Sequence, residues 1–422
     1  MLISNWGIKV SATLTTEHIA EELNQIGSWW LSAMDDANRF CGEVDAEGRA
    51  NTNANVGVVY YSRILWFFAT TALHYQNQSD KHSLYLQYRE TAEHVFKFII
   101  EHFDDPVDGG AFWEISAEHQ VINGKKQTYA QCFCIYAFSA YFELTQEQLA
   151  IDKAFSYFDL LQSHARDFEY RGYIEALDQR WQPIDDFRLS EKDLNAPKSM
   201  NTHLHVLEAF AHLHKVAPSE RTREALVDII DVFVDRICYA DPVSVHHFHL
   251  NLFFDKHWNC MSDAISFGHD IEASWLLWEA LEILNSNELM NRYRLVVLGL
   301  ARSSLDKGIG LLGQVCDEYR HSANYRDETS YWWVQAEAMV GFLNAFKLTG
   351  DAAYLHASQA IWQFINDYHI DKAHGEWFWT ATKDQAPEDK NPTYKAGFWK
   401  GPYHNGRAMI EVGRLLSKVQ AS

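Results

Sequence analysis

Proline is scarce in this chain of 422 residues, with 8 in all. No Pro- or Gly-rich linker interrupts it, so nothing marks a domain boundary, and one domain over 1–422 is expected. Cysteine is equally sparse. Cys41, Cys132, Cys134, Cys238, Cys260 and Cys316 are scattered without a C-x-x-C pair, which argues against a zinc knuckle or a disulfide framework. A reducing cytoplasm is the expected compartment. Long apolar runs are missing, none approaching the roughly 20 residues that a membrane span needs. The N-terminal MLISNWGIKV lacks the charged and apolar regions of a secretion signal. Positive charge is in deficit: 36 Lys and Arg stand against 57 Asp and Glu, a net charge of −21. That balance disfavours nucleic acid and anionic membranes as partners. Nor is there a GxGxxG, a P-loop, a GxSxG elbow or an HExxH pair, so nucleotide, serine-hydrolase and zincin chemistry have no sequence support.

What the chain has is aromatic residues, 14% of the total with 15 Trp, and helical periodicity. In 17–34, Ile19, Leu23, Ile26 and Trp30 recur at three- to four-residue spacing. Similar stretches cover about 54–76, 82–103, 127–144, 147–164, 200–216, 219–238, 270–285, 288–306, 330–349, 352–368 and 402–418. That makes twelve helices in six pairs. In each pair one helix is charged on one face, as Arg89, Glu90, Glu93 and Lys97 show, and its neighbour is apolar all round, as in 130–142. A helix apolar on every side is buried. The pattern predicts an all-α fold: an (α/α)6 barrel with an outer polar ring around an inner apolar one. Turn-rich runs at 109–116, 171–181, 247–258 and 375–384 read as short β-hairpins or extended loops between the pairs.

Six polar residues mark the repeat. Arg63, Gln131, His205, Glu272, Glu337 and His404 are separated by 68, 74, 67, 65 and 67 residues, each near the start of an apolar helix. In a barrel they point at a common centre. A helix starting near Ser199 puts Asn201, His205 and Glu208 on one face and turns His203 away, which makes His203 and His205 a poor metal pair. Gly268 allows a tight turn into a helix beginning near His269, with His269 and Glu272 on a shared face. Trp333 and Glu337 lie one turn apart, an aromatic platform beside a carboxylate. Pro402 suits a first helical turn and places His404 within it, below Trp399. Three histidines and two glutamates at inner-helix starts suit proton transfer at neutral pH, because imidazole titrates near 6.5. A metal centre built on the three histidines is the rival reading, without close ligand spacing to support it. His246, His247 and His249 form a further cluster in an extended run, read as solvated or structural.

At these residues the chain resembles the cellobiose 2-epimerases of the N-acylglucosamine 2-epimerase superfamily. The stretches that carry the resemblance are SRILWFFA (62–69), TYAQCFCIYAFS (128–139), RLSEKDLNAPKSMNTHLHVLEAF (188–210), SFGHDIEASWLLWEA (266–280), WWVQAEAMVGFLNAF (332–346) and FWKGPYHNGRA (398–408). The resemblance implies an (α/α)6 barrel and catalytic roles for His205, His269 and His404. It implies substrate contacts from Arg63, Tyr129, Asp193, Asn201, Glu272, Trp333, Glu337 and Trp399, with Gln131 only near the site. The implied reaction inverts C2 of the reducing-end sugar of a β-1,4-linked disaccharide through ring opening and a cis-enediolate. It needs no cofactor and no metal, and the implied partner is a small disaccharide, with a monomer expected. Three other readings are a monosaccharide epimerase or aldose–ketose isomerase, a glycoside hydrolase on the same barrel, and a non-catalytic sugar binder.

Overall fold

The computed structural model describes residues 14–381 and 394–421. The N-terminal segment MLISNWGIKV and residues 382–384 of the 375–384 run lie outside them. Among the described residues there are twelve α-helices. The outer ones are α1 (Thr16–Ser32), α3 (His82–His102), α5 (Gln148–Leu160), α7 (Glu220–Val232), α9 (Asn287–Ser303) and α11 (Ala352–Phe364). The inner ones are α2 (Val58–Tyr75), α4 (Thr128–Thr145), α6 (Met200–Val216), α8 (Phe267–Leu284), α10 (Trp332–Thr349) and α12 (Tyr403–Ala421). Each inner helix packs on the next, and α12 returns to α2, so the inner ring closes into the (α/α)6 barrel.

Composition sorts the two rings. α7 buries Ala225, Leu226, Ile229 and Ile230, one stripe of an otherwise charged helix, and begins with a Ser219–Thr222 capping box. α2 buries fifteen of its eighteen residues, which only a central position permits. The sequence ranges 147–164, 219–238, 288–306 and 352–368 overrun their α-helices because each ends in a π-helical turn: Leu161–Ala165, Phe233–Ile237, Ser304–Gly308 and Ile365–His369.

The turn-rich runs are not all the local hairpins expected. Two-residue strands ahead of the inner helices pair with the loop of the following unit. Val56–Gly57 pairs with Glu114–Ile115, Lys126–Gln127 with Ala176–Leu177, Lys198–Ser199 with Phe253–Phe254, and Ser330–Tyr331 with Thr380–Ala381. A Val44–Ala396 bridge makes the last of these links between the ends of the chain.

A second device fixes the loops. In five of the six inner helices the fourth residue is polar and bonds backbone of the preceding loop. Tyr61 holds both N–H and C=O of Phe40, Gln131 both of Ala111, and Gln335 both of Val315. His203 Nε2 accepts from Tyr173 N, and Asp270 Oδ1 accepts from Leu250 N. In α12 this place falls to Asn405, which donates to Glu376. A buried backbone group left unpaired costs about 1–3 kcal/mol, so each clamp is worth conserving energetically on its own. Gln131 is therefore a scaffold residue, not a residue near the substrate. His249 is scaffold too: buried, it bonds Asp270 through Nδ1, while His247 bonds Asp306.

Candidate active site

The clamps set the register of the site. Two residues beyond them lie Arg63, Phe133, His205, Glu272, Glu337 and, counting from Asn405, Arg407. One residue before Asp270 and Asn405 lie His269 and His404, which are thus equivalent positions on α8 and α12. Two residues before the clamps lie Tyr129, Asn201 and Trp333. The six residues of the sequence repeat mixed these positions: Gln131 is a clamp, and His404 precedes one.

The side chains meet in a cavity of about 200 Å³ lined by Arg63, Tyr129, Asn201, His205, His269 and Glu272, and by Trp332, Trp333, Trp379, Trp399 and His404. A hollow of about 300 Å³ beside Trp29, Phe40 and Phe98 is larger, but none of the candidate residues lines it. Chemistry rather than size selects the smaller one.

All three histidines are anchored through Nδ1. His205 bonds Glu208 at 2.8 Å, His404 bonds Glu337 at 2.6 Å, and His269 bonds Ser266 Oγ at 2.8 Å. A carboxylate accepts only, so Nδ1 carries the proton in His205 and His404 and Nε2 keeps its lone pair. Burial keeps the imidazoles neutral. It pushes His269 down to about 3 and His205 below its ordinary value. His404 is pushed well below its ordinary value by burial, then by the charges of Arg63 and Arg407. Trp333 stands between two of the rings, its centroid 4.7 Å from His269 and 5.7 Å from His404. These two imidazoles therefore enter from the helices flanking α10. His205 enters from α6, against Tyr129 at 4.9 Å.

Arg63 donates to Trp399 O at 2.5 Å and to the Tyr129 hydroxyl at 2.8 Å. It sets the Trp399 loop and leaves the Tyr129 proton free to donate. Asp193 does not line the cavity; its carboxylate accepts from Ser190 N and Oγ within its own loop. Glu337 lies behind His404 and also accepts from Trp275 Nε1 at 3.0 Å. Glu272, Glu337 and His404 each bring a ligand atom within 4.8 Å of the others. Arg407 Nη2 bonds both carboxylates there, at 2.9 and 2.6 Å, so the cation serving this group is the guanidinium. The three histidines do not gather as a ligand set.

The N-acylglucosamine 2-epimerase (GlcNAc 2-epimerase) family profile matches residues 40–405. The chain belongs to the N-acylglucosamine 2-epimerase family. Within that family it is similar to the cellobiose 2-epimerase of Bacteroides fragilis, at 35% identity over 94% of this chain and 98% of that one. The cellobiose 2-epimerase of Dictyoglomus turgidum is 33% identical over 96% and 98%. The solved cellobiose 2-epimerase of Spirochaeta thermophila superposes with a TM-score of 0.85 at 33% identity, covering 96% of this chain and 97% of that one.

Sequence reasoning missed four residues of this family member's site. Trp332 and Trp379 both line the cavity, their centroids 4.2 Å apart, and Trp332 Nε1 is buried without a hydrogen-bond partner. Arg407 and Tyr403 lie behind it. Arg407 stands one turn past His404 on the same helix face, a spacing that by itself does not set it apart from a surface cation. Gly268 also has a different role from the one expected. It lies inside the first turn of α8, and a Cβ there would sit 2.7 Å from the Trp333 ring and from Val334. Gly268→Ala is expected to displace Trp333 and raise KM about tenfold, given the ~1–3 kcal/mol usual for overpacking. Steady-state kinetics with a small fall in kcat would fit; an unchanged KM would mean that Trp333 does not contact substrate.

Proposed function

We propose that this protein reversibly inverts C2 of the reducing-end glucose of β-1,4-linked disaccharides such as cellobiose and lactose, giving mannose at that position. The observation that carries this reading is the pair of neutral imidazoles, His269 and His404, reaching one cavity from the two helices that flank α10. The names of the relatives aligned over nearly the whole chain support it.

A sugar carbon cannot invert without breaking a bond. Opening the ring to the aldehyde makes the C2 proton acidic, because the resulting anion spreads onto O1. One imidazole removes that proton through its Nε2 lone pair. A planar cis-enediolate forms, and the opposite imidazole, which has taken a proton from solvent at Nε2, returns it to the other face while the first imidazole gives its own proton up to water. The Tyr129 hydroxyl, oriented by Arg63, donates to the developing oxyanion, the electrostatic contribution that usually matters most, while His205 accepts from a sugar hydroxyl through its Nε2 lone pair. Trp333 and Trp399 stack on the sugar, and Asn201 and Glu272 bond its hydroxyls. The carbonyl is its own electron sink, so the cycle uses no cofactor. A hydrolase on this barrel needs two opposed carboxylates across the scissile bond. Glu272 and Glu337 instead share one guanidinium nitrogen, and Asp193 sits outside the cavity. We further propose a cytoplasmic monomer. All six cysteines are free thiols, and among the described residues no helix is long and apolar enough to cross a membrane.

Incubation with cellobiose in D2O, followed by NMR, tests the reading. Glucosyl-mannose with deuterium at C2 is expected. Free glucose would indicate hydrolysis, and inversion without deuterium would rule out an exchanging enediolate. The pH profile is a further test. His404 and His269 are both pushed down by burial, so the base form is already full well below pH 6.5. The acid limb of kcat/KM is expected below about pH 5.5, with a plateau from there to 7. A limb centred at 6.5 or higher would place the essential base elsewhere.

A further inference from the structure

Arg407 has no role in the steps above, yet it is fully buried at the centre of the inner ring. Its Nη1 bonds Glu208 Oε1 and the Tyr403 hydroxyl, and its Nη2 bonds Glu272 and Glu337. Its plane lies over the Tyr403 ring at 4.2 Å and the Trp275 ring at 4.7 Å. It does not line the cavity. The two carboxylates at its ends are the ones that hold His205 and His404 by Nδ1. The groups form an unbroken buried line, His205–Glu208–Arg407–Glu337–His404, contributed by α6, α12 and α10.

We propose that Arg407 is a positioning residue that joins His205 and His404 into one acid–base unit, fixing both as Nδ1–H tautomers and setting how readily each takes a proton. The proposal rests on the reading above for what the histidines do, but not for how they are held.

The physical argument is charge balance. Glu208, Glu337 and Glu272 crowd around a single cation. With Arg407 in place, Glu208 is held down at about 2, ionised, with the positive charge beside it the main opposing influence to burial. Glu272 is pushed well up by burial and by the charge of Glu337, and burial pushes Glu337 up as well. His404 faces Glu337 from α10, Arg63 from α2 and His205 with Glu208 from α6. Glu272 and His269 of α8 complete its surroundings. His205 faces Glu208, Arg63, Tyr129 of α4, and Tyr403 with Arg407 of α12. The positive charges of Arg63 and Arg407 work against protonation of both imidazoles. Removing Arg407 takes away one such charge and leaves Glu208 and Glu337 free to draw a proton onto their histidines. Both imidazoles then titrate at higher pH.

The test is Arg407→Gln, read by two methods. Histidine side-chain NMR across pH 4–8 reports tautomer and titration without any substrate. The expected result is that His205 and His404 titrate at least one pH unit higher than in wild type and that a mixture of tautomers appears, while solvent-exposed histidines do not move. In kinetics with cellobiose, kcat is expected to fall about a hundredfold with KM within threefold, and the acid limb of kcat/KM to move up by the same interval. Arg407→Lys, which keeps the charge and loses the fork, is expected to restore the titration but not the single tautomer, and it serves in place of Arg407→Gln if that variant does not fold. A loss of activity that merely tracks the folded fraction, with imidazole titration and tautomers unchanged, would overturn the proposal. Failure of the wild type to convert cellobiose would overturn the proposed reaction and leave the NMR result to decide the role of Arg407.

Discussion

His404→Ala is expected to lower kcat for cellobiose epimerisation about a thousandfold, a loss of roughly 4 kcal/mol of transition-state stabilisation. His404 lines the cavity, and its Nδ1 is tied to Glu337, so Nε2 is the nitrogen offered to the sugar. No neighbour can substitute, because His269 reaches the cavity from the other side of α10. The residual chemistry is informative. With one imidazole left, C2 can still lose its proton to His269 and regain one on the same face. In D2O the variant is expected to incorporate deuterium at C2 of one epimer without inverting it. His269→Ala is expected to do the same with the other epimer. NMR of glucosyl-glucose and glucosyl-mannose, each incubated with each variant, reads this directly. A wild-type rate in His404→Ala, or exchange of the same epimer by both variants, would sink the two-base assignment.

Glu337→Gln is expected to cost kcat about a hundredfold to a thousandfold while KM stays within about threefold. Glu337 does not line the cavity, so substrate binding has little to lose. What it supplies is three acceptor contacts: to His404 Nδ1, Arg407 Nη2 and Trp275 Nε1. An amide can donate as well as accept. Turned the wrong way, it places an N–H against His404 and favours the other tautomer, with Nε2 protonated and useless as a base. Loss of a carboxylate behind a catalytic imidazole has this kind of consequence, up to ten-thousandfold where the tautomer is inverted. A KM effect larger than the kcat effect would instead mean that Glu337 touches the sugar.

The architecture was open to reading from the chain because its signals are local. Stripes such as Ala225, Leu226, Ile229 and Ile230, and all-apolar runs such as 130–142, are set by 3.6-residue geometry and by burial alone. The site was legible wherever a titratable residue interrupted such a run, as at His205, His269 and Glu272. Arg407 was not, because its partners Glu208, Glu272 and Glu337 lie on three other helices. A lone basic residue on a terminal helix looks like a surface cation until the ring is closed around it. Trp332 and Trp379 were hidden for a related reason. In a Trp-Trp pair the sequence does not say which ring turns inward, and Trp379 is brought over Trp332 by the cross-unit pairing of Tyr331 with Thr380. Gln131 misled because a clamp and a catalytic group are both buried polar residues near the start of an apolar helix.

Those clamps bear on how such a protein changes over generations. In five of the inner helices the fourth residue ties the loop to the barrel, and Arg63, Tyr129, Asn201, His205, His269, Glu272 and Trp333 reach the cavity from one or two places before it or two after it. The tie is made to backbone atoms, which every amino acid supplies. Substitutions at the facing positions therefore leave each loop anchored where it was, and substitutions in the loops leave the facing positions where they were. The ring is a set of interchangeable sockets, in which histidine, arginine, glutamate, tyrosine or tryptophan can be exchanged singly. New chemistry can be tried in one socket at a time without rebuilding the frame.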